Sequence, residues 1–168
     1  MSTLKVNEIQ NTSGVVRRGI QTYAIICDQK TQNTNGGTFT SGAWRTRDLN
    51  TEIADPDGIV SISSNQFTLG TGAYLIEAEV PAYRVQYSQT RLYNATASSV
   101  IQPGRSMYTD PNGNVNTVSL VTARVVITGN TAFEIQHRSA ATLATFGFGV
   151  ASNFTDEVYT IVKIFKEA

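Results

Sequence analysis

Short apolar runs rich in valine, isoleucine, threonine and tyrosine alternate with polar turn clusters from residue 19 to the end of the chain. No stretch combines apolar residues at spacings of three and four with a polar cap before it and a glycine after it, as an amphipathic helix requires. The pattern therefore predicts an all-β protein. The predicted strands are Gln21–Asp28, Thr46–Ile53, Gly58–Ser63, Ala73–Pro81, Gln86–Ala95, Ser99–Gln102, Ser106–Thr109, Val115–Thr128, Ala132–Arg138 and Glu157–Lys166.

Two turn sequences contain proline followed by glycine two positions later, Asp55-Pro56-Asp57-Gly58 and Asp110-Pro111-Asn112-Gly113. Proline presets one turn dihedral, and glycine accepts a positive φ at low cost. Both sequences predict tight reversals, which connect antiparallel strands.

The segment 74–80 shows which way one strand faces. Its apolar positions alternate with positions that include two glutamates: Tyr74, Ile76, Ala78 and Val80 against Leu75, Glu77 and Glu79. Because side chains alternate across a strand, one face is predicted to enter a core and the carboxylates to face outward. This alternation is typical of a β-sandwich.

The last strand is apolar on both faces except at Thr160 and Lys163. A sandwich strand has one partner layer within its own subunit, so the second face needs another cover, for which we predict a neighbouring subunit. The core face is predicted to hold Val158, Val162 and Ile164, and the subunit interface Tyr159, Ile161 and Phe165.

Residues 1–19 form a separate segment before the predicted domain of residues 20–168. Leu4, Val6 and Ile9 are isolated apolar positions in a polar tract that ends in Thr12-Ser13-Gly14. Such a tract gains burial only when it docks on a partner, so these three residues are predicted to attach the protein to one. A second polar stretch, Thr31–Gly42, is predicted to be a long surface loop.

The charge balance argues against two classes of partner. The chain carries 13 basic and 13 acidic residues, and it has neither a run of about 18 apolar residues nor an apolar amino-terminal signal. We therefore expect no nucleic-acid partner, no membrane insertion and synthesis in a cytoplasm. Arg45 and Arg47 are interpreted as solvated surface because acidic residues follow them.

The search for catalytic chemistry yields no catalytic residue, metal site or cofactor site. His137 shares a strand face with Phe133 and Ile135 and is predicted to point inward, and Cys27 is predicted to be a small buried hydrophobe. No nucleophile or phosphate-binding motif accompanies them. The pair Asp55/Asp57 resembles a fragment of a calcium loop but lacks its later glutamate.

Aromatic residues next to polar ones are the remaining candidates for function. Rings with a polar tip suit sugar and protein contacts, although core or subunit-interface positions are an alternative for them. The predicted receptor or partner contacts are Trp44, Tyr83, Tyr87, Tyr93 and Tyr108.

The opening residues MSTLKVNEIQNTSG resemble the amino terminus shared by many tail-fibre and other virion proteins of phages. This resemblance implies a location in the virion after assembly in the host cytoplasm. It also implies that other virion proteins, of the tail or the capsid, are partners.

A second segment, FTLGTGAYLI at residues 67–76, resembles the core of the tumour-necrosis-factor-like jelly roll found in the globular head of complement and in phage fibre tips. The likeness extends loosely to residues 159–165, and Phe146-Gly147-Phe148-Gly149 is compatible with it. The resemblance implies an antiparallel jelly-roll β-sandwich that assembles as a homotrimer. It does not imply catalysis.

The resulting expectation is a non-enzymatic phage structural protein, a trimeric tail-fibre or receptor-binding tip attached by its short extended amino-terminal segment. A host cell-surface glycan or protein is the expected receptor. One alternative is a capsid cement or decoration protein of the same fold, and another is a cellular carbohydrate-binding module.

Overall fold

The computed structural model describes residues 20–167, and residues 1–19 and Ala168 lie outside that range. The described residues contain no helix, and so none that is long and apolar enough to cross a membrane. The strands are β1 Ile20–Lys30, β2 Arg45–Thr46, β3 Thr51–Ala54, β4 Val60–Ser63, β5 Gln66–Leu69, β6 Gly72–Tyr83, β7 Gln86–Asn94, β8 Ser99–Thr109, β9 Asn116–Ile127, β10 Thr131–Ser139 and β11 Glu157–Glu167.

The strands form two antiparallel sheets packed face to face. The five-stranded sheet has the order β3-β1-β11-β6-β9, and the six-stranded sheet has the order β4-β5-β10-β7-β8, with β2 paired to β10. The prediction of an all-β antiparallel sandwich is confirmed.

The core between the sheets is built from alternate residues of the strands. The predicted inward residues of β6 are buried, and Phe67 and Phe133 of the six-stranded sheet stack with ring centroids 5.6 Å apart. The core residues are Ala24, Ile26, Leu49, Val60, Phe67, Leu69, Tyr74, Ile76, Ala78, Val80, Leu92, Val121, Ala123, Val125, Phe133, Ile135, Val162 and Ile164.

The prediction of one strand over Thr46–Ile53 is wrong. Its start, β2, pairs with β10 in the six-stranded sheet, whereas β3 pairs with β1 in the other sheet. The chain therefore crosses the sandwich between them. Arg47 lies within this crossing and is fully buried, so its assignment to solvated surface is also wrong.

Two further strand boundaries differ from the predicted ones. β5 was not predicted; Ser64 and Asn65, both with positive φ, form a two-residue turn that pairs it with β4. The two predicted strands at 99–102 and 106–109 are one strand, β8, because Gly104 lets the chain approach closely: a Cβ there would lie 2.4 Å from Cγ2 of Thr90.

The orientation of β11 differs from the prediction at its second and third residues. Val158 is 46% exposed, whereas Tyr159 is 7% exposed and donates a 2.7 Å hydrogen bond to the carbonyl oxygen of Thr34. Between the pairs Cys27↔Ile161 and Gln29↔Val158, β11 advances by one residue more than β1. This bulge turns Tyr159 inward, while Val162 and Ile164 keep the predicted core face.

Two long loops, residues 31–44 and 140–156, close one end of the sandwich together. Phe39 and Leu143 form an isolated β-bridge, and the Gly36 amide donates to the Gly149 carbonyl at 2.9 Å. The prediction of a surface loop at Thr31–Gly42 is therefore only partly right, because Phe39 is fully buried in a second small core with Phe148.

Replacing Gly149 with alanine should lower the free energy of unfolding by about 2 kcal/mol, which is in the range for overpacked sites. Gly149 has φ +143°, and a Cβ there would lie 2.4 Å from Cδ1 of Tyr159. Chemical denaturation of the two proteins measures the loss. Gly129→Ala is the matched control, because nothing lies within 4 Å of its Cβ position. Equal losses in the two variants would contradict the tight packing of Tyr159 on Gly149.

Candidate functional site

The outer face of the six-stranded sheet brings together most of the predicted aromatic contact residues. Tyr87 and Tyr108 are directly paired across β7 and β8, with ring centroids 5.0 Å apart, and they are 69% and 53% exposed. Trp44 and Tyr93 lie along the same face and share a contact with Arg91. Tyr83 lies apart, at the end of β6, where its hydroxyl donates to Asn114.

Arg91 holds Trp44 in place. Its guanidinium carbon lies 4.1 Å from the Trp44 ring centroid and 5.1 Å from that of Tyr93. Its Nε and Nη2 atoms both donate to Oε1 of Gln136, at 2.8 and 2.6 Å. Burial is the main cause that lowers the pKa of the Arg91 guanidinium. The cation thus stacks on the rings with its planar group fixed.

A carboxylate anchors the other end of this network. Glu134 accepts hydrogen bonds from Gln66 and Gln136, both at 2.7 Å, and from Thr46 at 2.9 Å. Burial alone would raise the pKa of Glu134, but these hydrogen bonds outweigh it and hold the pKa below its ordinary value. Glu134 is therefore engaged in structure and is ionised at neutral pH.

Beside this network the surface opens into a groove of about 540 Å³. We call it the Trp44–Tyr87 groove. Its lining residues come from the 31–44 loop, β7, β8, β10 and the residue after β10: Gly42, Trp44, Tyr87, Ser88, Gln89, Ser106, Met107, Arg138, Ser139 and Ala140.

The polar groups of the groove are donors and neutral acceptors, with no carboxylate in the lining. Arg138 is its only charged lining residue and forms no ion pair with the described residues. Ser88 is buried on the inward row of β7 with Thr90 and Leu92, so the groove meets this residue from its outer side and not at its hydroxyl. Gln89 donates its amide to the Gly104 carbonyl at 3.0 Å, which fixes the side chain.

The predicted subunit-interface residues do not all share one face. Ile161 and Phe165 are partly exposed on the outer face of the five-stranded sheet, whereas Tyr159 is buried within its own subunit. The basis for assigning Tyr159 to the interface is therefore lost. The predicted attachment residues Leu4, Val6 and Ile9 lie outside the described residues.

On the outer face of the five-stranded sheet, one row of apolar side chains runs across β1, β11 and β6. In this row Tyr23 is paired with Phe165, and Phe165 is paired with Leu75. The neighbouring row is charged in the middle of the sheet, where Lys163 and Glu79 form a 2.5 Å ion pair. Val118 and Val126 of the edge strand β9 are 42% and 64% exposed. We call this surface of the five-stranded sheet the outer apolar face.

The residues considered for catalysis lie in a turn or are buried in the fold. The Asp55 carboxylate accepts the backbone amides of Ile59 and Val60 at 2.9 and 3.0 Å, as expected of a turn aspartate. Cys27 is fully buried, and burial is the main cause that raises the pKa of its thiol. Within residues 20–167, no group of three or more histidine, cysteine, aspartate or glutamate residues could hold a metal ion.

His137 is fully buried as predicted, next to two groups that shape its chemistry. The Phe39 ring centroid lies 4.8 Å from its own, and neither ring nitrogen has a hydrogen-bond partner among the described residues. Burial first, and then the Arg47 cation, lower the pKa of His137 well below its ordinary value.

Arg47 itself stacks on Phe148 at 3.9 Å and donates hydrogen bonds to Thr160 and to the Phe148 carbonyl, both at 3.0 Å. Burial lowers the pKa of Arg47 to about 10, so it remains a cation at neutral pH. Arg47 therefore ties the 140–156 loop to β11 across the core.

Comparison with solved structures identifies the fold. The globular domain of zebrafish complement 1qA protein aligns at 11% identity and TM-score 0.56, over 87% of this chain and 97% of that one. The Eiger TNF from S. frugiperda aligns at 11% identity and TM-score 0.58, over 88% and 92% of the two chains. Murine APRIL aligns at 8% identity and TM-score 0.54, over 89% and 99%. The fold is a tumour-necrosis-factor-like jelly roll.

These identities establish the fold alone. No protein-family model matches the chain, and no curated protein matches it either. The residues 67–76 that carried the resemblance belong to β5 and β6 of the jelly roll, and the Tyr74 hydroxyl donates to the Gly70 carbonyl at 2.9 Å.

The aromatic residues of the groove were predicted from the sequence, but its polar residues were not. Gln89 and Arg138 lie on β7 and β10, which are adjacent only because of the jelly-roll pairing. The useful signal was the alternation along β10: since His137 points inward, Arg138 must point outward next to it.

Proposed function

We propose that the chain is a non-enzymatic structural protein of a phage particle, a homotrimeric receptor-binding tip that is attached by residues 1–19. The observation that carries the proposal is that the two sheets offer different outer surfaces. One is the outer apolar face, and the other holds the aromatic and amide-rich Trp44–Tyr87 groove.

The outer apolar face supports the homotrimer. The five-stranded sheet already packs its inner face on the six-stranded sheet, so the row containing Tyr23, Leu75 and Phe165 lacks a cover within residues 20–167. A second copy of the same chain is a cover that every copy in an assembly can share, as symmetric oligomers do. The resemblance of residues 67–76 to a trimeric family agrees with three copies.

The six-stranded sheet supports the binding role. Its outer face holds the partly exposed rings of Trp44 and Tyr93 through Arg91, and aromatic rings fixed in this way are typical of recognition surfaces. A capsid cement protein of the same fold would place this surface against the shell. A tail tip would leave it free for the host.

A cellular carbohydrate-binding module is the second candidate function, and the groove between Trp44 and Tyr87 favours it. The two proposals differ in where the protein resides. Finding the chain in purified phage particles supports the virion protein, whereas glycan binding by a protein absent from any particle supports the module.

Deleting residues 2–18 should abolish incorporation into the particle while leaving the jelly roll folded and trimeric. Residues 2–18 supply few apolar groups and precede the first strand, and the core residues of the described range pack on one another. The test is to complement a phage that lacks the gene with the truncated chain and to measure its occupancy in purified particles. Substituting Leu4, Val6 and Ile9 with serine in the full-length chain is the companion variant.

Normal occupancy of the truncated chain would show that attachment runs through the jelly roll itself. A truncated chain that is monomeric or unfolded would instead show that residues 2–18 belong to the head. Either result would overturn the assignment of attachment to the amino-terminal segment.

A further inference from the structure

We propose that the Trp44–Tyr87 groove binds a carboxylated pyranose, such as a uronic acid residue of a surface glycan. This inference deepens the proposed receptor-binding role and rests on it for its biological context. It assigns a ligand chemistry to a site built from Trp44, Tyr87, Gln89 and Arg138.

The size of the groove suits a small ligand. A volume of about 540 Å³ falls within the range of roughly 300–1,000 Å³ that is usual for small-molecule sites. The groove is open along the sheet surface, so it can hold one sugar unit while the rest of the glycan extends away from the protein. A large protein epitope would need a broader contact area.

The aromatic walls supply the stacking surface that a pyranose ring needs. The apolar C–H face of a pyranose packs well on an aromatic ring, because the ring offers a large apolar surface with a polar tip. Trp44 has Arg91 stacked at 4.1 Å, and Arg91 is itself held by Gln136, so the indole is fixed before a ligand arrives. A wall that is already ordered loses little entropy on binding.

The charge of the groove selects an acidic sugar over a neutral one. Arg138 is the only charged residue in the lining and is not paired with any carboxylate in residues 20–167. A guanidinium matches the geometry of a carboxylate through two parallel hydrogen bonds. Because no acidic residue lines the groove, a ligand carboxylate meets no repulsion there.

Uncharged polar groups of the outward-facing rows complete the groove. Gln89 of β7 and Ser106 of β8 are directly paired across the two strands, and both line the groove. An amide and a hydroxyl can form hydrogen bonds with the hydroxyl groups of a sugar, and a few polar groups of this kind fix the orientation of a ligand in its site.

The test compares two ligands that differ only in the carboxylate, methyl β-glucuronide and methyl β-glucoside, titrated against the full-length protein by NMR. We expect the glucuronide to bind at least about fivefold more tightly than the glucoside, and the preference to fall at high salt. Arg138→Gln should abolish the preference, and Trp44→Ala should weaken binding of both sugars.

Arg105→Gln is the matched control, because Arg105 is an exposed arginine outside the lining, and it should leave the preference unchanged. Circular dichroism of each variant confirms folding, and Arg138→Lys keeps the charge if the glutamine variant is unstable. Equal affinity for the two sugars, no binding of either up to about 10 mM, or a preference that survives Arg138→Gln would overturn the inference.

Failure of this test is separable from failure of the proposed function. If neither sugar binds but Trp44→Ala still reduces attachment of the particle to host cells, the surface binds another ligand and only the sugar assignment falls. If Trp44→Ala leaves host attachment unchanged, the receptor-binding role of this surface falls as well.

Discussion

Replacing Ile161 with aspartate should convert the protein from a trimer into a monomer. Ile161 lies on the outer apolar face of the central strand β11, directly paired with Cys27 on one side and with Glu79 on the other. In the assembly an aspartate there would be buried next to the Glu79 carboxylate, and Lys163, a cation of the same face, is already paired with Glu79. Burial of an unpaired charge costs several kcal/mol, which is enough to dissociate most interfaces of moderate size.

Size-exclusion chromatography with light scattering, at equal micromolar concentrations, measures the effect. Val100→Asp is the control, because Val100 is an exposed apolar residue on β8 of the other sheet. A trimeric Ile161→Asp variant would show that the interface lies elsewhere. Loss of the trimer in the Val100→Asp variant would implicate the six-stranded sheet instead.

Lowering the pH from 7 to 5 should destabilise the subunit through His137, by up to about 2 kcal/mol. Burial, followed by the Arg47 cation, depresses the pKa of the folded His137, whereas the unfolded side chain titrates near 6.5. Protonation therefore favours the unfolded state. The stability associated with the neutral ring is complete above pH 6.5 and is lost as the pH falls below it.

The comparison between wild type and His137→Leu isolates this contribution. Other groups with shifted pKa values also make stability depend on pH: the depressed pKa of Glu134 acts in the same direction, and the raised pKa of Asp28 acts in the opposite one. They are present in both proteins and cancel in the difference. Urea denaturation at each pH, at fixed protein concentration, should show a shallower loss in the variant. Parallel losses would mean that His137 is accessible to protons or has a partner.

Strands in which apolar and polar residues strictly alternate were predictable from the sequence, because successive side chains of a strand point to opposite faces of the sheet. β6 is the best example: its alternating residues from Tyr74 to Val80 are buried as expected, between two strands with which it pairs along its length. The two Asp-Pro turns also form as predicted. The backbone amide of Gly58 donates to the carbonyl oxygen of Asp55, and that of Gly113 donates to the carbonyl oxygen of Asp110, both at 3.3 Å.

Features that depend on pairing between distant strands were not predictable in this way. The bulge opposite Cys27 and Gln29 turns Tyr159 inward, although the local pattern of β11 places it with Ile161. Arg47 was predicted to be a surface charge because acidic residues follow it in the sequence. It is buried because the chain crosses between the sheets at that point, with Phe148 and Thr160 brought to it from more than 100 residues away.

The candidate site was predictable as a set of residue types but not as a groove. Trp44, Tyr87, Tyr93 and Tyr108 were singled out for their rings, and the structure places them on one sheet face. Their polar neighbours became visible only with the register that sets β7 between β8 and β10. Arg138, which we propose selects the ligand, is one such neighbour.

The mass of the full-length wild-type protein in solution tests the central claim most directly, because both the cover of the outer apolar face and the proposed tip depend on the homotrimer. Light scattering at micromolar concentration should give three times the mass of the 18.2 kDa chain, unchanged on dilution through that range. A mass equal to that of a single chain would contradict the account.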